Sequence, residues 1–311
     1  QIHYDIAASA QLVLEEILLK MINHVYKKTN MKNLCFGGGV ALNGVANYRI
    51  LKESSFENLH IPPSPGDAGS AVGCAQYLYH CFHQNKKIEQ TTSERVKNNI
   101  YVGPEYSNND IKLFLDQKNI NYDYLERDVL IKKTANLISE GNIVGWYQGK
   151  MEWGPRALGN RSILADPRKN EMKDILNRKI KHRESFRPFA PSILEEFVPE
   201  YFELDITSPY MLLVAKIKKP EIIPAVTHVD GTGRLQSVSR DVNPLYYDLI
   251  NEFYKITGVP LIINTSMNVM GEPIVNTPEH AFNMIVKTDM DYTVLGNFII
   301  SKNQNEHQKS E

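Results

Sequence analysis

Apolar positions in this chain recur with two different periods, and the switches between them mark out the elements. Between residues 8 and 29, Leu12, Leu14, Ile17, Leu18, Met21 and Ile22 return at three- and four-residue steps, which predicts an amphipathic helix. A short apolar run, Asn33-Leu34-Cys35-Phe36, then reads as a strand leading into Gly37-Gly38-Gly39-Val40-Ala41-Leu42-Asn43. Residues 43–50 return to the helical period, Leu59-His60-Ile61 is a second short strand closed by Pro62-Pro63-Ser64-Pro65-Gly66, and a further helix is expected from Asp67 to His83. Strand, glycine turn, helix, strand, turn, helix is the order of a parallel α/β unit.

Residues 84–98 are polar without apolar periodicity and read as a linker. Beyond them the pattern predicts strands at 99–102, 143–147, 211–217 and 259–264, helices at 109–117, 130–140 and 278–286, and a charged, frayed end at 304–311. The expected fold class is α/β in two domains, 1–97 and 98–311, since 311 residues exceed what one core ordinarily serves.

Composition narrows the function classes. A net charge of −1 and a pI near 6.8 argue against a nonspecific nucleic-acid binder, so any anion site must come from local clustering. No run approaches the twenty apolar residues of a membrane span, and the Gln1-Ile2-His3-Tyr4-Asp5 opening lacks a signal peptide's basic and apolar regions. A cytoplasmic protein is expected, with no membrane partner. A chain opening on Gln1 rather than Met reads as a fragment or a processed form. Cys35, Cys74 and Cys81 lie in apolar contexts without pairing or metal-ligand spacing, and are expected to be reduced and buried.

Four constellations carry candidate chemistry. The densest is Gly149-Lys150-Met151-Glu152-Trp153-Gly154-Pro155-Arg156-Ala157-Leu158-Gly159-Asn160-Arg161-Ser162-Ile163-Leu164, which follows the buried strand ending in Trp146. Cations that fork onto oxyanions, set among glycines that let a backbone approach a ligand, describe an anion cradle; the alternative is a solvated basic loop. Downstream, Lys181-His182-Arg183-Glu184-Ser185-Phe186-Arg187-Pro188-Phe189-Ala190-Pro191 surrounds Arg187 with apolar bulk, so Arg187 is expected to be half buried, to need an anion, and to share it with Lys181. Lys179 and Arg183, four apart, fit an ordinary solvated helix face.

Two further constellations are turns. Asp230-Gly231-Thr232-Gly233-Arg234 presents Arg234, and Asn264-Thr265-Ser266-Met267-Asn268 follows a buried strand where α/β sheets display ligands, unless it merely caps the helix beginning at Pro278. In the first domain, Gly37-Gly38-Gly39 with Asn43 either meets a phosphate or is a structural turn, without the Lys-Ser/Thr of a P-loop. Asp67 in Pro65-Gly66-Asp67-Ala68-Gly69 is an N-cap or, with only small neighbours, a carboxylate open to a metal or a nucleotide hydroxyl.

In combination and order, these motifs resemble the O-carbamoyltransferases of nodulation-factor and antibiotic tailoring, from about residue 5 to 300. The resemblance implies a partial actin/hexokinase-like (ASKHA) α/β unit followed by a YrdC-like twisted mixed-sheet domain. The latter would form carbamoyladenylate from carbamoyl phosphate and ATP, Mg2+ accompanying the nucleotide, and the former would pass the carbamoyl group to a small-molecule or sugar hydroxyl. Lys181, Arg187, Arg234 and Ser266 would hold carbamoyl phosphate and the ATP phosphates, supported by Arg156, Arg161, Asn264 and Thr265. Gly37, Gly38, Gly39 and Asn43 would form a nucleotide-phosphate loop, and Asp67 would complete an Fe2+-type site. The family's metal histidines have no counterpart here, since His80 and His83 are three apart at a helix end, so transfer would need a separate N-terminal half or subunit. The rival expectation is a noncatalytic ATP- or phosphometabolite-binding regulatory module.

Overall fold

The computed structural model of the chain describes residues 1–85 and 100–305; most of the expected linker and the final six residues lie outside them. The chain divides into two compact units, Gln1–Ile88 with Met211–Ala215, and Glu89–Tyr210 with Lys216–Glu311.

The first unit opens with α1 (Ile2–Thr29), which stops where Asn30 turns left-handed at φ 52°. β1 (Asn33–Cys35) pairs in parallel with β2 (Asn58–His60), Leu34 opposite Leu59, and α2 (Gly44–Glu53) connects them. α2 starts where it does because Asn43 Oδ1 accepts the Ala46 amide at 3.1 Å, filling one of the orphan donors of a helix start. Leu18, Ile22, Ala46, Ile50 and Phe56 form the core, flanked by Leu14, Leu34, Phe36 and Leu59. The segment Met211–Ala215 belongs to this unit: Asn47 Nδ2 donates to the Ala41 and Leu212 carbonyls, both at 2.8 Å.

Two expectations fail here. α1 is apolar on more than one face, and Leu12, Ile17 and Met21 lie exposed while Leu18 and Ile22 are buried. The three cysteines are also exposed. In β1 the period of two that turns Leu34 inward turns Cys35 outward. α3 (Asp67–Tyr77) has no buried residue, and it passes into a π-turn at Leu78–Phe82, so Cys74 and Cys81 gain no shared buried face.

The second unit is organised by an eight-stranded mixed sheet in the order β3-β12-β11-β4-β5-β10-β6-β9. Its strands are β3 (Asp123–Tyr124), β4 (Val144–Tyr147), β5 (Arg161–Ala165), β6 (Ala190–Leu194), β9 (Gln236–Val238), β10 (Leu261–Ser266), β11 (Tyr292–Leu295) and β12 (Phe298–Ser301). β11–β4 and β6–β9 are parallel, and the other pairs are antiparallel. Two short strands lie outside this sheet: β7 (Val214–Lys216), which begins in the segment assigned to the first unit, and β8 (Thr232–Arg234).

β4, β5 and β6 are buried along their whole length, as central strands covered on both faces must be. Helices Arg127–Glu140 and Pro244–Thr257 pack against each other, and helix Pro278–Lys287 packs on β4 and β11. The expected strand at 99–102 is only an isolated bridge between Tyr101 and Glu152. The mixed α/β architecture is the one the sequence predicts. β5 is not, because Arg161 and Ser162 disguise a fully buried strand as the end of a polar loop.

Candidate active site

The glycine-rich segment before β5 is held by its own residues. Glu152 Oε1 accepts the backbone N–H groups of Leu158, Asn160 and Arg161 at 2.6, 3.0 and 3.2 Å, and Ser162 Oγ accepts that of Gly159 at 3.0 Å. These amides are therefore not offered to a ligand, contrary to the expectation of a backbone cradle. Arg161 is likewise internal. Its side chain is fully buried, donates to the carbonyls of Pro104, Gln148, Gly149 and Asn160 at 2.6–3.1 Å, and stacks 3.7 Å from the Tyr147 ring centroid. Both terminal nitrogens are engaged with backbone and only the buried Nε is without a partner, which corrects its assignment as an anion ligand.

The turn tolerates no side chain at its tip. Gly159 has φ 109°, and a Cβ there would lie 2.3 Å from Tyr246 Cδ1. Gly159→Ala is expected to cost about 3 kcal/mol or more of stability through combined overpacking and backbone strain, read as a lowered urea midpoint.

The side-chain nitrogen of Asn264 is also spent internally, while its Oδ1 is buried without a partner. Its Nδ2 donates to Ala157 O, Ser192 Oγ and Gln236 Oε1 at 3.2, 3.0 and 3.0 Å, tying β10 to the loop and to β6 and β9. Thr265, the next residue of β10, pairs in register with Ile163 of β5 and is partly exposed.

What remains open is a group of cations. Arg156 is half-buried, its Nε has no partner, and burial pushes its guanidinium below the ordinary range. Arg234, at the end of β8, is pushed down to about 9, first by burial and then by the neighbouring charges of Arg156 and Arg183. Arg183 is half-buried over the Phe189 ring, and its Nε donates to Asn177 Oδ1 at 2.7 Å. Clustered guanidiniums that depress one another, with little carboxylate to balance them, are poised for an added anion.

Arg183 is a residue the helical-face reading misassigns. Helix Met172–Leu176 widens into a π-turn at Asn177–Lys181 and ends with His182 left-handed at φ 48°, so Lys179 and Arg183 share no face. Arg187 differs in the opposite sense. It is exposed and paired with Glu184 Oε2 at 2.8 Å, because Phe186 points outward while Phe189 takes the buried position. It sits at the rim of the cluster, where its charge acts on Arg183.

Lys181 is 4 % exposed, and its Nζ donates to Ser266 O, Ser266 Oγ, Asn268 O and Asn268 Oδ1, the last at 2.8 Å. Ser266 Oγ donates to Asn268 Oδ1 at 2.6 Å, and Asn268 Nδ2 is anchored on Glu272 O. Burial, then the Arg183 charge, brings the ammonium down to about 7. Asn268 joins Lys181 and Ser266 as part of the site. The signal for it, and for Arg183, is a spacing of two: Lys181 with Arg183, and Ser266 with Asn268.

In the first unit the glycine turn and the Pro65-Gly66-Asp67 turn meet: the Gly38 amide donates to Pro65 O at 2.7 Å, just past the ends of the parallel strands. Open space surrounds Gly37, Gly38 and Gly39, whereas a Cβ on Gly69 would strike Ser64 O at 2.0 Å. Asn43 is occupied as a helix cap and by Gln11. Asp67 is exposed in the first turn of α3, whose N-cap is Gly66, so its carboxylate is not the cap. Among the described residues no group of three His, Cys, Asp or Glu could hold a metal, so Asp67 alone does not fit an iron centre. Among them, too, no helix is long and apolar enough to cross a membrane.

The family model for the carbamoyltransferase C-terminus matches residues 135–302, and that for the carbamoyltransferase N-terminus matches residues 1–76. The chain belongs to the carbamoyltransferase family. It is 45% identical to an uncharacterized protein of Synechocystis over 96% of this chain and 52% of that one. It is 41% identical to nodulation protein NolO of Bradyrhizobium diazoefficiens over 97% and 55%, and 35% identical to nodulation protein U of Sinorhizobium fredii over 86% and 46%. The chain thus spans about half the length of the curated relatives it matches.

Among solved structures, it overlaps full-length HypF in its phosphate- and nucleotide-bound form, with TM-score 0.40 and 22% identity over 56% of this chain and 22% of that one. It also overlaps P. abyssi Sua5 complexed with L-threonine, with TM-score 0.42 and 17% identity over 56% and 48%.

Proposed function

We propose that the second unit binds carbamoyl phosphate and ATP and makes carbamoyladenylate, the activated donor for carbamoylation of a hydroxyl on a small-molecule or sugar acceptor. The observation that carries this reading is the convergence of Arg156, Arg234 and Arg183 with the Lys181–Ser266–Asn268 cluster, where the buried Arg156 Nε has no partner. Two phosphorylated substrates repel each other, and a reaction that brings them together needs fixed positive charge more than it needs covalent help.

Atom balance sets the order of events. Water cleaves carbamoyl phosphate to carbamate and phosphate; a carbamate oxygen then attacks the α-phosphorus of ATP and expels pyrophosphate. The arginines hold the anionic oxygens throughout, and Lys181, held by Ser266 and Asn268, adds positive charge beside the oxygens that gain charge as the bonds break; Mg2+ bound to the nucleotide would supply further neutralisation. Transfer to the acceptor hydroxyl falls to the first unit together with a separate N-terminal half or subunit. The open Gly37–Gly39 turn and the exposed Asp67 beside it are the groups this chain would bring to that step.

The test is pyrophosphate release by the purified chain. Release from ATP that depends on added carbamoyl phosphate is expected; folded protein that binds ATP and releases none would sink the enzyme reading in favour of a nucleotide-sensing module.

A further inference from the structure

The loop between Glu152 and Ser162 is wrapped around an anion that belongs to the protein. Glu152 is 3 % exposed, and through Oε1 it gathers three of the four successive amides from Leu158 to Arg161. The carbonyls of the same turn are fixed as well: Asn264 donates to Ala157 O at 3.2 Å, and the Tyr101 hydroxyl and Gln236 Nε2 both donate to Leu158 O at 2.8 Å. Asn160 is clamped from two sides, donating to Lys150 O and accepting from Asn243 Nδ2. Arg156, immediately before this fixed turn, keeps a buried, unpartnered Nε, as Arg161 does, but unlike Arg161 it is not tied to the backbone carbonyls of the turn.

We propose that Glu152 is a positioning residue, its carboxylate taking the place a ligand anion would occupy in a glycine loop and thereby fixing the turn that aims Arg156 at the anion held by Arg234. The inference rests on the anion-site reading above. A side chain held by preformed geometry loses less freedom on binding, which is how a residue that never touches the ligand alters its affinity. Glu152 Oε2 is buried without a partner, so a glutamine amide in its place breaks no existing hydrogen bond while Oε1 keeps its three, although its own N–H groups gain no acceptor there. Glutamine therefore keeps the geometry and removes the charge; aspartate keeps the charge and withdraws the oxygens.

The experiment is calorimetric titration of the full-length chain with inorganic pyrophosphate, for wild type, Glu152→Asp, Glu152→Gln, Arg156→Ala and Glu152→Asp/Arg156→Ala, with each variant's melting temperature as a fold check. Glu152→Asp is expected to weaken binding about tenfold, Glu152→Gln to stay within about threefold of wild type, and the double variant to bind no worse than Arg156→Ala alone. A folded Glu152→Asp that binds like wild type, or that weakens binding by the same factor with and without Arg156, overturns the positioning role while leaving the anion site standing. A folded Glu152→Gln that loses as much as Glu152→Asp overturns it too, in favour of a purely electrostatic role. If Glu152→Gln does not fold, the aspartate cycle decides alone. Folded wild type that binds no pyrophosphate removes the anion site and this inference with it.

Discussion

Replacing Arg234 by alanine is expected to lower carbamoyl-phosphate-dependent pyrophosphate release by about 100- to 1000-fold while the protein stays folded. Arg234 is largely buried, its guanidinium is held down to about 9, and the charges around it are the like charges of Arg156 and Arg183. Removing one cation from such a cluster relieves repulsion in the free protein, so stability should hold or rise. The loss should appear entirely where an anion has to be bound. Arg234→Lys should recover only part of the rate, since an ammonium is a point charge without a two-pronged hydrogen-bonding edge. Arg161→Ala is the contrasting control: its guanidinium serves four backbone carbonyls, so its loss should appear as an early unfolding transition. A rate unaffected by Arg234→Ala would remove that residue from the site.

Pyrophosphate affinity should fall as pH rises above about 7, by up to about tenfold per pH unit, and binding in that range should take up a proton. Lys181 sits at about 7 in the free protein because it is buried and faces the Arg183 charge. An anion placed beside it favours the ammonium and raises its pKa in the complex. Between the free and bound values, therefore, the complex holds a proton that the free protein lacks. Below about pH 6 both states are protonated and the uptake disappears. Calorimetry in two buffers of different ionisation enthalpy measures it directly, and Lys181→Met should abolish it.

The same depressed value has a stability consequence with a definite sign. The unfolded lysine titrates near its ordinary 10.5 and the folded one near 7, so the unfolded chain binds more protons between these values. The Lys181 contribution to stability accordingly rises with pH across that window and is at its least favourable below pH 7. Lys181→Met should flatten this part of the stability profile.

Much of the architecture is legible in the chain because it rests on periodicity. β4 is an unbroken apolar run, the helix at Pro278–Lys287 opens on a Thr-Pro cap, and the strand–glycine–helix order of the first unit follows from its breakers. What the sequence hides is polar atoms that are buried because other atoms satisfy them. Arg161 reads as a ligand until its four carbonyl acceptors are known, and Glu152 reads as unremarkable because its partners, six to nine residues on, follow no secondary-structure period. Arg183 is concealed by a π-turn, which shifts every residue after it to a new face. Arg187 shows the reverse error: apolar neighbours in sequence do not bury a residue when one of them, Phe186, faces outward.

The five residues Met211–Ala215 give the first unit an unusual birth order. Asn47, at the centre of that unit, has a carbonyl partner 165 residues downstream in Leu212. A ribosome making this chain must therefore release most of the second unit's sequence before the first can close its last contacts. The early helices wait, incomplete, for a segment that arrives late. Trimming the chain to its first ninety or so residues would remove these five, and with them the Asn47–Leu212 hydrogen bond.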